Sequence, residues 1–113
     1  MNLKVYFTPT FSKKYKKYQR KYQSIDSDLR IFINNLNKIE PIGLGGSIFK
    51  YRMAVKSKNK GKSGGFRIIT FEILIDETQK DITLLTIYDK SEQSSISKSE
   101  IEEILKDEGF LKI

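Results

Sequence analysis

The sequence predicts an α+β domain: a small antiparallel-rich sheet with element order β-α-α-β-β-β-α and a helical hairpin packed on one face. Two patterns carry that prediction. Apolar residues alternate with polar ones in residues 2–7 and 48–55 and form short runs over 66–75 and 82–88, which is the period and length of strands. They recur every three or four positions in residues 9–22, 25–36 and from 98 onward, the period of helices. A chain of 113 residues has room for a single domain, residues 1–113.

The first strand places Leu3, Val5 and Phe7 on one side and Lys4 and Tyr6 on the other. Thr8-Pro9 then reads as a helix N-cap followed by proline at the first helical position. The helix over 9–22 carries an aromatic stripe continuing from Phe7: Phe11, Tyr15, Tyr18 and Tyr22. A second helix, 25–36, presents Ile25, Leu29, Phe32, Ile33 and Leu36, with Ser24 as its expected cap. Residues 37–47 hold Pro41, Gly43, Gly45 and Gly46 and read as a loop. Three strands follow, over 48–55, 66–75 and 82–88; the polar stretch Asp76 to Asp81 connects the last two as a hairpin. Ser97-Lys98-Ser99-Glu100 is a capping box opening a last helix with Ile101, Ile104 and Leu105 on one face.

Composition narrows the chemistry. There is no Cys and no His, so thiolate chemistry, disulfides and Ser-His-Asp or Cys-His catalysis are excluded, and no cofactor or metal site is expected. No apolar run approaches a membrane span, and the N-terminus lacks the apolar centre of a signal peptide, so a cytoplasmic protein with no membrane partner is expected. The net charge of +7 is distributed unevenly. Residues 1–23 hold Lys4, Lys13, Lys14, Lys16, Lys17, Arg20 and Lys21 and no acid; residues 50–67 hold Lys50, Arg52, Lys56, Lys58, Lys60, Lys62 and Arg67 and no acid. A genome that favours lysine would raise it everywhere and would not leave two acid-free blocks. Such blocks are the footprint of a polyanion binder.

The segment Lys60-Gly61-Lys62-Ser63-Gly64-Gly65-Phe66-Arg67 contains a GKS triplet. It is not a P-loop: Lys56 stands where the motif needs its first glycine, and a strand follows where the motif needs a helix. It reads instead as a basic loop that delivers an arginine to the start of a strand. With Lys, Arg, Tyr, Asp and Glu as the only acid–base groups, phosphodiester chemistry on RNA suits the chain. There the nucleophile is the substrate's own 2′-hydroxyl, and the protein has only to orient it, move protons and neutralise charge.

Phe11-Ser12-Lys13-Lys14-Tyr15-Lys16-Lys17, the Gly61-to-Ile69 segment, and Leu84-Leu85-Thr86-Ile87-Tyr88-Asp89-Lys90-Ser91-Glu92 together resemble the RelE/ParE toxin superfamily, most closely its HigB-like, RelE-type branch. The resemblance implies a type II toxin of a bacterial toxin–antitoxin pair. RelE-type members cut mRNA in the ribosomal A site; ParE-type members share the fold and poison DNA gyrase. It also implies roles. Arg67 matches the phosphate-stabilising arginine, and Lys50 and Arg52 match two functional cations of the preceding strand. Tyr88 and Lys90 lie where the last core strand delivers site residues, Tyr88 to orient or stack a base. Lys56, Lys58, Lys60 and Lys62, with Lys13, Lys16, Lys17 and Arg20 of the first helix, would hold RNA phosphates. Ser97 and Ser91 stand roughly where relatives carry a tyrosine and a second arginine, so proton transfer falls to the cations around Lys90. The expectation is a metal-independent mRNA endoribonuclease whose partners are ribosome, mRNA and an antitoxin. The alternatives are a gyrase inhibitor and a non-catalytic nucleic-acid-binding module.

Overall fold

The computed structural model describes residues 1–58 and 65–110, and the expected element order appears with one strand added. The elements are β1 (Asn2–Phe7), α1 (Pro9–Gln19), α2 (Ile25–Asn34), β2 (Ile42–Gly45), β3 (Ile48–Met53), β4 (Phe66–Leu74), β5 (Gln79–Asp89) and α3 (Lys98–Asp107). One sheet runs in the order β1-β5-β4-β3-β2. β1 is parallel to β5, and every other pairing is antiparallel. Helices α1 and α2 form the expected hairpin on one face, where Phe11, Tyr18, Leu29 and Phe32 meet Tyr51, Phe66 and Ile68. α3 covers the other face, laying Ile101 and Ile104 on Ile48, Ile69, Leu85 and Tyr88.

The local signals act as their chemistry dictates at both capped helices. Thr8 Oγ1 accepts from Phe11 N at 2.9 Å, and Ser97 Oγ from Glu100 N at 3.1 Å. Asp76 Oδ1 closes the β4–β5 turn by accepting from Thr78 N, Thr78 Oγ1 and Gln79 N, an Asx turn. Three expectations need correction. α1 ends at Gln19 rather than 22, and Tyr22 reaches the core from the following turn, edge-on to Phe66. Ser24 does not cap α2 with its hydroxyl, which donates instead to Asp28 Oδ2 at 2.6 Å. Residues 37–47 are not wholly loop, because β2 pairs with β3 across the two residues Gly46 and Ser47. Both have positive φ, 54° and 69°, as the tight hairpin turn matching strand twist requires. The glycines that suggested a loop are what this hairpin needs.

One irregularity positions the site. The β4–β5 ladder shifts register between Ile69, which faces Thr86, and Thr70, which faces Leu84, so Leu85 is an extra residue in β5. Such a bulge reverses the facing of everything beyond it. Ile82 and Leu84 point to the α1–α2 side, whereas Leu85 and Tyr88 join the α3 side. The bulge is secured by the α1 cap: Thr8 Oγ1 donates to Leu85 O at 2.7 Å and Thr8 N to Leu84 O at 3.2 Å.

Candidate active site

Strand register places three expected site residues in one row. Arg52 of β3 faces Arg67 of β4, and Arg67 faces Tyr88 of β5. Directly paired residues share a sheet face, with Cβ atoms about 5 Å apart. Lys50 lies two residues before Arg52 and shares its face. This is the α3 face, because Ile48 and Ile69, at alternate positions of the same strands, pack under α3.

Arg67 is only 3 % exposed and donates from Nη1 to Phe66 O at 3.2 Å. Its pKa is lowered from the ordinary guanidinium value, first by burial and then by the charge of Arg52. It remains a cation at any working pH. Two like charges directly opposite in a sheet oppose folding. Tyr88 is 2 % exposed, and its ring belongs to the α3 core. Burial raises its pKa, Arg67 opposes that rise, and Glu100 of α3 adds to it. The expected stacking of a base on Tyr88 does not fit this arrangement, because the ring has no open face. The Tyr88 hydroxyl and Thr86 Oγ1 are buried with no hydrogen-bond partner among the described residues.

The other expected cations divide into groups. Lys90 is exposed, and its N–H donates to Gly65 O at 3.1 Å, which puts it beside the strand start that carries Arg67. Lys56 is exposed on the rim of a cleft between α2 and β3 that Arg52, Phe32 and Met53 also line. Lys13, Lys16, Lys17 and Arg20 line a shallow groove along α1, across the sheet from the arginine row. Lys60 and Lys62 lie outside the described residues. Lys58 is not the open phosphate contact expected of it. Its side chain is 6 % exposed, its Nζ pairs with Asp89 Oδ1, and it lies 5.3 Å from the Phe66 ring centre and 5.6 Å from that of Tyr22.

Asp89 is a residue that sequence reasoning missed. It is fully buried and accepts from Lys58, Ser91 and Tyr22. Burial works to raise its pKa, but those hydrogen bonds outweigh burial and hold it at about 2. The one available signal was an acid next to the expected Tyr88 and Lys90 in an otherwise cationic site. Among the described residues, no group of three or more acidic side chains is placed to hold a metal ion, and no helix is long and apolar enough to cross a membrane. The family model described as RelE toxin of the RelE/RelB toxin–antitoxin system matches residues 4–109.

Proposed function

The chain belongs to the RelE toxin family, and on that premise we propose that it is a ribosome-dependent endoribonuclease of the HigB-like kind, cutting mRNA during translation in the cytoplasm. The observation that carries this reading is the row of Arg52, Arg67 and Tyr88, with Lys50 on the same face. Two guanidinium groups facing each other across β3 and β4, Arg67 buried and Arg52 exposed, suit a pentavalent phosphorane, whose charge exceeds that of the ground-state diester. The 2′-hydroxyl attacks the adjacent phosphorus, the P–O5′ bond breaks, and the products are a 2′,3′-cyclic phosphate and a 5′-hydroxyl. The proton leaving the 2′-oxygen and the proton reaching the 5′-oxygen pass through Lys50 and Lys90. Neither step needs a metal. Tyr88 supports Arg67 from the next strand rather than meeting the base. Lys56 and the α1 cations hold ribosomal RNA by its phosphates, a binding mode that tolerates sequence.

The test is toeprinting of a translated mRNA with purified protein, with and without ribosomes, followed by mapping of product ends. Cleavage only on ribosomes with 5′-hydroxyl products is expected. Products with 5′-phosphates, or a stoichiometric metal in the purified protein, would overturn the mechanism. Inhibition of DNA supercoiling without RNA cleavage would move the chain to the gyrase-poisoning branch.

A further inference from the structure

Asp89 takes no part in the chemistry above, yet three segments of the chain meet on it. It lies between Tyr88 and Lys90 in sequence and opposite Phe66, the neighbour of Arg67, in the sheet. Its Oδ1 accepts from Lys58 Nζ, from Ser91 N at 2.9 Å and from Ser91 Oγ at 2.7 Å. Its Oδ2 accepts from the Tyr22 hydroxyl at 3.1 Å, and its own N–H donates to the Tyr18 hydroxyl at 3.2 Å. Lys58 also donates to Ser91 Oγ at 3.3 Å. The segments joined are the end of α1 with its following turn, the chain entering the 59–64 connection, and the exit of β5.

Burying an ion pair is a poor way to gain stability, because desolvation consumes most of the attraction and an apolar pair often serves as well. What the pair supplies is direction: charged hydrogen bonds in a dry site fix their partners' geometry. Phosphoryl chemistry needs that, since its donors must be held to within about 0.5 Å. The geometry of the joint suits the task. Lys58, where the 59–64 connection begins, is held to Asp89. Gly65, where it ends, is held to the next residue by the Lys90 N–H.

We propose that the buried Lys58–Asp89 pair is a positioning device that fastens Lys58 to the exit of β5, next to the point where the Lys90 N–H holds Gly65, and so holds Arg67 and Lys90 in place for the scissile phosphate. This rests on the endoribonuclease reading. Neither residue touches the RNA; both act through their neighbours.

The test compares Lys58→Met, Asp89→Asn and the double variant in the full chain. Three quantities are measured: the single-turnover cleavage rate at saturating toxin on programmed ribosomes, the toxin concentration giving half that rate, and amide exchange at Lys90. Each single variant should lose about tenfold or more in rate, and the double no more than the worse single, as groups acting as one unit do. The half-saturating concentration should stay within about threefold, because phosphate contacts on α1 are untouched. The Lys90 amide should exchange about tenfold faster, while those of Ile68 and Ile87 keep their protection. Rates per folded molecule equal to wild type, or losses that multiply in the double variant, would overturn the proposal. If Asp89→Asn fails to fold, Lys58→Met decides alone, since Ser91 and Tyr22 still bond the carboxylate. A wild-type protein that cleaves nothing ends the endoribonuclease reading, while unchanged Lys90 exchange in Lys58→Met overturns the positioning role by itself.

Discussion

Arg52 and Arg67 set function against stability at single positions. Facing cations oppose folding, so removing one should leave the fold intact or firmer while removing a donor from the phosphorane. Arg67→Ala opens a cavity and confuses the comparison; Arg52, exposed in the same row, is the cleaner probe. Arg52→Gln should keep or raise the thermal midpoint and lower the single-turnover rate by roughly 10²–10³. A full rate in folded Arg52→Gln would remove it from the site. Asp89 gives a second prediction, in pH. Its folded pKa of about 2 lies below the ordinary 3.8. A depressed carboxylate contributes stability that is complete above the unfolded value and lost as pH falls through the folded one. Denaturant unfolding of wild type should therefore lose on the order of 2 kcal/mol between pH 5 and pH 2 from this group. Asp89→Asn, with nothing to titrate, should show a correspondingly flatter profile over that window.

At the scale of elements, the decisive contact is between the start of α1 and the bulge of β5. Thr8 Oγ1 caps the helix and donates to the carbonyl of the extra residue, Leu85. Thr8→Val keeps the shape and removes both bonds. It should destabilise by about 1–2 kcal/mol, from the lost cap and an unsatisfied buried carbonyl. If the bulge relaxes with it, the facing of Tyr88 is disturbed and cleavage falls further than stability explains. Activity tracking the folded fraction alone would show that the bulge stands without Thr8. The same contact shows what was legible beforehand. Thr8-Pro9, the N-cap at Ser97 and the alternation of Lys50 with Arg52 are local signals, and the structure follows them. The pairing of Arg52 with Arg67 was not legible, because register is a long-range property. The bulge left one trace: adjacent Leu84 and Leu85 break the alternation of β5. β2 was hidden because its two apolar residues, Ile42 and Leu44, alternate with glycines over only four positions, and Pro41 and the glycines read as a loop. Lys58 was misread for a related reason. A lysine in a basic run looks solvated until a distant carboxylate is found beside it.

Across the whole molecule, the cations of α1 and the arginine row end up on different sides of the sheet. The α1 cations line one groove, and the arginine row lies on the α3 face. The first should govern docking and the second the reaction. Charge reversal at Lys13 and Lys17 should therefore weaken ribosome association and flatten its salt dependence, since fewer counterions are released. The saturated cleavage rate should stay unchanged. Family membership implies an antitoxin as partner, and the same division decides how it neutralises the toxin. An acidic segment laid over the arginine row blocks chemistry directly, gains speed from complementary charge, and weakens as salt screens it beyond about 10 Å at 0.1 M. An antitoxin seated on α1 instead blocks docking. We expect the first, because the row's mutual repulsion is what an acidic side chain relieves. The affinity of the antitoxin should fall steeply with salt and drop by about tenfold or more on reversing Arg52 to Glu, one close charge pair across an interface being worth that much. Reversal of Lys13 and Lys17 should barely move it. The opposite ranking of these variants would place the antitoxin on α1, and an affinity indifferent to salt and to both would mean that it grips the apolar surface and acts by bulk.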